Sequence, residues 1–313
     1  MSIQFIITKL LVRLSGSKRI TGLPKDKMLK QIRRRNKLNR FYIPKDGTFI
    51  YRDVKVRVED LDGVSEGGQS ADFHCLAICH REKPKRAVLC VYGGGLLLSP
   101  PRMFVGFAKK MAANTGADVW FPYYPLCDEY TIRDSVRMLY EVYAAMCREY
   151  KDVRWYGYSS GGALLLLLGA YLNENSKPLP MPEKLVLISP GGIPSTEEEW
   201  EQMQSLNSKD VMLSAQYMKT IQPLLSHGNA TIPQWMQSCE GADLSGFPET
   251  WIYYGTSEVL SAKAAAYDEM LTKAGVRHHL KMAKDMPHCY CTTVFFPEAR
   301  EDYEETMRIL RED

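Results

Sequence analysis

No stretch of this sequence is long and apolar enough to span a bilayer, and no repeat or low-complexity tract divides it. Strong charge of either sign is also missing. The net charge of +3 is too small to imply nucleic acid as a general partner. The eight cysteines (75, 79, 90, 127, 147, 239, 289, 291) lack the paired spacing of a disulfide-stapled small domain. In a chain of this size that predicts reduced thiols in a cytoplasmic protein. His288-Cys289-Tyr290-Cys291 has no second ligand cluster at suitable spacing. Structural zinc wants four ligands, so no metal and no other cofactor is expected.

A cleavable leader is not evident either. The opening "MSIQFIITKLLVRL" is interrupted by Lys9 and Arg13, and no small-x-small site follows. Ile3, Ile6, Ile7, Leu10, Leu11 and Leu14 instead fall on one stripe of an amphipathic helix, with Gln4, Thr8, Lys9 and Arg13 opposite. The stripe is expected to cover a site rather than to address the protein to a membrane. Residues 18–40 hold ten Lys or Arg against the single Asp26, a net +9 that leaves −6 on the rest of the chain. The expected role of that run is to solvate an outer helical face.

What is present is ordinary globular chemistry, at 45% hydrophobic and 25% charged residues, in a chain long enough to bury a large core. "TFIYRDVKVRVED" and "ADFHCLAICHR" alternate as two early strands joined through "LDGVSEGGQS". "KRAVLCVYGGG", "GADVWFPYYPL", "EKLVLISP" and "ETWIYYG" read as further strands, and residues 131–150 as a helix. Near-continuous Val, Leu and Ile strands alternating with helices predict an α/β fold with a mostly parallel sheet covered on both faces. Residues 191–247 break that rhythm with helical, Met-rich pieces and no clear strand. The expected organisation is N-terminal helices over 1–48, a core over 49–190, a helical insertion over 191–247 and the rest of the core over 248–313.

The densest chemistry lies in "VRWYGYSSGGALLLLLGAYL". Residues 153–156 suit a buried strand and 163–172 a buried helix, so Gly157-Tyr158-Ser159-Ser160-Gly161 must turn sharply between them. Gly-x-Ser-x-Gly is the pattern of a strand–turn–helix elbow that exposes its serine. The register selects Ser159, because Ser160 would need glycine where Tyr158 stands. A nucleophilic serine needs a base, a group that orients the base, and amides aimed at an oxyanion. His288, in a loop past the last strand, is the candidate base. Glu258, in the loop after residues 251–254, is the candidate acid. Asp243 precedes its strand, Asp268 lies in a helix, and Asp285 sits too close to His288. The chain order Ser159, Glu258, His288 is that of an α/β-hydrolase. Gly93-Gly94-Gly95 after a strand offers N–H groups uncovered by side chains, although by itself the stretch reads first as a plain glycine turn.

With Tyr92-Gly93-Gly94-Gly95, Gly157-Tyr158-Ser159-Ser160-Gly161-Gly162 and the late block "FPETWIYYGTSEVLSAKAAAYDEMLTKAGVRHHLKMAKDMPHCY", the chain resembles the hormone-sensitive-lipase-type α/β-hydrolase esterases from about residue 50 to its end. The resemblance implies an α/β-hydrolase fold with a two-part helical cap. It implies a serine carboxylesterase for short-acyl esters, with Ser159 as nucleophile and His288 as base. An oxyanion hole would come from the N–H groups of Gly94, Gly95 and Ser160, supported by Tyr92, Gly93, Gly157 and Gly161. Tyr92 replaces the family's histidine, Tyr158 and Ser160 its Asp and Ala, and Glu258 its Asp. The expected partner is a small-molecule ester, with no nucleic acid and no stable membrane insertion, and a homodimer stays open. The rival readings are an amidase or peptidase, which usually carries a large extra domain, and a non-catalytic binder, which the presence of His288 disfavours.

Overall fold

A computed structural model of the chain describes residues 1–63, 69–175 and 179–313. Three helices come first: α1 (Ile3–Leu14), α2 (Ser17–Thr21) and α3 (Lys25–Asn36). Then follow β1 (Ile50–Leu61), β2 (Gln69–Cys79), β3 (Arg86–Val91), α4 (Arg102–Thr115) and β4 (Asp118–Pro122). The middle of the chain holds α5 (Ile132–Glu149), β5 (Asp152–Tyr158), α6 (Ser160–Glu174) and β6 (Leu185–Ile188). After these run α7 (Glu197–Leu206), α8 (Gln216–Ser226) and α9 (Gln234–Ser238), with no strand among the described residues between β6 and β7. The chain closes with β7 (Thr250–Gly255), α10 (Ala264–Lys273), β8 (His278–Ala283) and α11 (Pro297–Arg311). Residues 64–68 of the expected β1–β2 loop lie outside the described residues.

The eight strands form one sheet in the order β1-β2-β4-β3-β5-β6-β7-β8. β2 pairs antiparallel with β1 and with β4, and every later pairing is parallel. Parallel strands must be covered on both faces, and the buried residues of β3 and β6, and of β5 apart from Arg154, are accordingly apolar. α6 is buried almost all round, which explains why its Leu164–Leu168 run carries no polar side. α5 shows the opposite economy: Thr131 and Asp134 form a reciprocal capping box, and only its inward side is apolar.

The N-terminal helices divide into two parts. α2 and α3 dock inward, where Asn36 Nδ2 donates to the Leu97 carbonyl at 2.8 Å and Lys18 Nζ to the Asp210 carbonyl at 2.6 Å. α1 corrects the expectation that its apolar stripe faces inward over a site. Only Phe5 is buried on this helix, through an edge contact with Phe296 at 5.2 Å, and the six stripe residues are all exposed. Periodicity establishes that a stripe exists but not which side of the helix meets the protein.

Candidate active site

Two glycines make the β5–α6 elbow possible. A Cβ on Gly157 would lie 2.7 Å from the Gly161 carbonyl oxygen, and one on Gly161 would run into the Val91 carbonyl of β3. With both positions bare, the chain turns tightly enough to hold Ser159 at φ 54° and ψ −129°. That conformation costs a non-glycine residue on the order of 1–3 kcal/mol. It is clamped from β6, because the Ser159 N–H donates to the Ile188 carbonyl at 2.8 Å and the Gly191 N–H to the Ser159 carbonyl at 3.1 Å. The result is a half-buried serine whose hydroxyl makes no capping hydrogen bond to its own helix.

The loops after β7 and β8 are zipped together. Thr256 N–H donates to the Ala283 carbonyl at 2.9 Å and Ser257 N–H to the Met286 carbonyl at 3.1 Å. Gly255 permits this, since a Cβ there would collide with the Met286 carbonyl. The zipper carries Glu258, fully buried, to His288, 5% exposed. One Glu258 carboxylate oxygen pairs with His288 Nδ1. The other accepts from the Ser189 hydroxyl at 2.7 Å and from the Gly255 N–H at 2.7 Å. His288 Nε2 lies 2.9 Å from Ser159 Oγ. A ring whose Nδ1 faces a carboxylate presents Nε2 as the acceptor, so this imidazole can take the serine proton. Burial opposes a charged ring, yet Cys289 and the Glu258 carboxylate outweigh it and hold His288 well above its ordinary pKa.

The competing acids are engaged or placed elsewhere. Asp268 meets His278 at 3.1 Å, and Asp243 and Asp285 sit on the surface. Ser189, by contrast, escapes a motif search. It is fully buried after β6, its hydroxyl donates to Glu258 and accepts the Cys289 N–H at 3.0 Å, and so it ties both loops to the strand that clamps Ser159. Its only local signal is the strand end "LISP". Asp210, 49 residues from the loop it supports, is equally hidden; its carboxylate caps the Val259 N–H at 2.9 Å. Lys263 and Glu199 form a buried ion pair at 2.8 Å that fixes α7 to the same loop.

The glycine loop crosses directly over the nucleophile: a Cβ on Gly93 would lie 2.5 Å from that of Ser159. Tyr92 is buried beneath it, stacked 4.4 Å from Tyr124, whose hydroxyl donates to the Tyr92 carbonyl at 3.1 Å. Desolvation pushes the Tyr92 phenol well up, so it stays neutral. The Ser160 side chain is not idle, although a backbone-only role was expected of this residue. Its Oγ accepts the Gly94 N–H at 3.0 Å and the Leu96 N–H at 3.4 Å. Among the described residues, no side-chain, turn or loop acceptor engages the N–H groups of Gly95 and Ser160. No group of three or more His, Cys, Asp or Glu able to hold a metal ion gathers among the described residues.

A strand-order reversal about β3, a serine elbow after β5, an acid after β7 and a histidine after β8 define an α/β-hydrolase arrangement. The profile of the alpha/beta hydrolase fold family matches residues 88–292, and the chain belongs to that family. It is 25% identical over 225 residues to an esterase of Acinetobacter venetianus, covering 67% of this chain and 70% of that one. An esterase of Gibberella moniliformis is 24% identical over 220 residues, covering 67% and 68%. Among solved structures, an esterase from the bacterial hormone-sensitive lipase family superposes with a TM-score of 0.75 at 19% identity, over 99% of this chain and 98% of that one. An esterase/lipase from an uncultured bacterium gives the same TM-score of 0.75 at 20% identity, with the same shares covered. The family resemblance read from the glycine, elbow and late-block motifs is thereby met.

Proposed function

We propose that the protein is a serine carboxylesterase that cleaves short-acyl esters through Ser159, His288 and Glu258. The observation that carries this reading is the continuous contact from Ser159 Oγ to His288 Nε2 at 2.9 Å and from His288 Nδ1 to a buried carboxylate. Ser159 Oγ attacks the ester carbonyl carbon while its proton passes to His288 Nε2. The carbonyl oxygen becomes an oxyanion, received by the N–H groups of Gly95 and Ser160 and by Gly94 when it releases the Ser160 hydroxyl. Collapse of this intermediate expels the alcohol, which leaves with the proton from His288. Water then adds to the acyl-enzyme by the same route and frees the acid. Glu258 holds the Nδ1–H tautomer and stabilises the imidazolium.

The esterases it resembles support this reaction class. α2, α3 and residues 191–247 serve as the cap, because α2 and α3 touch both the 97–99 segment and the insertion at Asp210. Two measurements test the proposal. Hydrolysis of p-nitrophenyl esters of increasing acyl length is expected to be fastest at the short end. An organophosphonate probe is expected to label one peptide, at Ser159. Tight ester binding without turnover or labelling would make the protein a binder instead, and labelling at Ser160 would overturn the site.

A further inference from the structure

Helix α1 is docked by the opposite face from the one its sequence marks as apolar. Phe5, Thr8, Lys9 and Val12 recur at helical spacing and form its buried or half-buried side. Phe5 packs on Phe296, and Ser2 Oγ donates to Glu298 at 2.8 Å at the start of α11. The apolar stripe is on the other side. Ile3, Ile6, Ile7, Leu10, Leu11 and Leu14 are 51–73% exposed, and none of the described elements covers them. A continuous exposed patch of such side chains marks an interaction surface rather than scattered surface residues.

Its surroundings are strongly basic. Residues 1–40 carry twelve Lys or Arg against Asp26 alone. The basic α3 reaches the stripe's C-terminal end, where Arg35 Nη2 donates to the Ser15 carbonyl at 3.2 Å. Arg13, Arg19, Arg34 and Lys37, on α1 to α3 and just after α3, are all exposed. An amphipathic helix with an open apolar face and a cationic border fits a lipid–water interface: acyl chains receive the stripe, and lipid phosphates meet the cations. A second copy fits poorly, because face-to-face packing would bring two such cationic borders together.

We infer that α1 is a peripheral docking helix for anionic lipid surfaces, lying in the interface plane. This docking does not depend on the ester chemistry proposed above.

The test is co-sedimentation of the full chain with phosphatidylcholine vesicles, with and without roughly one-third phosphatidylglycerol. Capture by the anionic vesicles is expected to exceed capture by the neutral ones by about tenfold or more, and to fall as salt rises. Ile7→Glu with Leu11→Glu is expected to abolish capture. Both side chains face solvent, so the circular dichroism spectrum and melting temperature should stay unchanged. Failure of the parent protein to bind anionic vesicles overturns the proposal, as does equal capture of the double variant. A dimer that light scattering detects in the parent and not in the double variant, without vesicle capture, also overturns it and makes the stripe a contact between copies.

Discussion

Two buried acid–base pairs lie beside one another in the chain, and they use the same chemistry to opposite ends. Glu258 faces His288, and Lys263 faces Glu199. Glu258 and Lys263 are both fully buried. The first pair leads outward: His288 turns its second nitrogen to a half-buried serine. The second is closed, since both Glu199 oxygens meet Lys263 Nζ at 2.8 Å and one also accepts the Ser195 N–H at 2.8 Å. An imidazole whose second nitrogen faces a nucleophile can pass a proton on, whereas a paired ammonium is spent holding α7 against the acid loop. Burial alone therefore does not mark a catalytic charge; an exit toward a nucleophile does.

The sharpest way to break this contrast is at the open end of the first pair. Ser159→Ala is expected to lower kcat for p-nitrophenyl acetate by about a thousandfold or more, because such groups act as a unit. The melting temperature should hold. A variant that keeps substantial turnover would remove Ser159 from the chemistry.

Glu258→Gln comes next, with a fall in kcat of about a hundredfold or more, since an amide can hold the wrong tautomer and cannot stabilise imidazolium. The pH profile sharpens this prediction. Burial opposes charge on His288, but Cys289 and Glu258 raise its pKa well above the ordinary 6.5. Hydrolysis needs the neutral ring, so kcat/KM in the parent enzyme should climb with pH through a titration above that value. Loss of the carboxylate takes away one cause of the rise and should move the climb to lower pH. An unmoved profile in Glu258→Gln, with a dead Asp285→Asn, would reassign the acid.

The closed pair should answer in stability rather than in rate. Lys263→Met leaves the Glu199 carboxylate buried without its cation, a change that costs about 3–5 kcal/mol. Adding Glu199→Gln removes that stranded charge and should recover part of the loss in urea unfolding. Additive losses in the double variant would show that the two side chains do not depend on each other.

These two pairs also show where the sequence is legible. Ser159 and Glu258 could be read because each stands at the carboxyl end of a strand whose apolar and aromatic run announces it, with glycines where backbones must approach, whereas β8 is half-buried or exposed throughout and His288 was legible from its place in the loop past that last strand. Most strands were legible for the same reason, as their buried faces leave continuous apolar runs. Glu199–Lys263 and Ser189–Glu258 join residues 64 and 69 positions apart, and nothing in either local stretch names the partner. The side of α1 that meets the protein was hidden too, because its contacts, Phe5 on Phe296 and Ser2 on Glu298, are made to the far end of the chain.

The smallest effect is expected at Ser160, the neighbour that the elbow register rejects. Its hydroxyl accepts from the Gly94 and Leu96 N–H groups and so shapes the loop that crosses Ser159. Alanine would remove the one oxygen that both N–H groups share as acceptor, and Leu96, held at φ 63°, would lose part of what fixes it. A net hydrogen bond contributes about 1 kcal/mol, so Ser160→Ala should lower stability by about that amount. Turnover moves less, because the two consequences oppose each other. The freed Gly94 N–H becomes available to an oxyanion without first giving up a hydroxyl, while the loosened loop holds it less firmly in place. The Ser160 N–H itself is unaffected by the substitution. The expected outcome is a kcat within about tenfold of the parent, since loss of a whole oxyanion donor costs about a hundredfold or more. A hundredfold fall in Ser160→Ala with unchanged unfolding would mean that the hydroxyl takes part in the reaction, and the division of labour between the two adjacent serines would have to be redrawn.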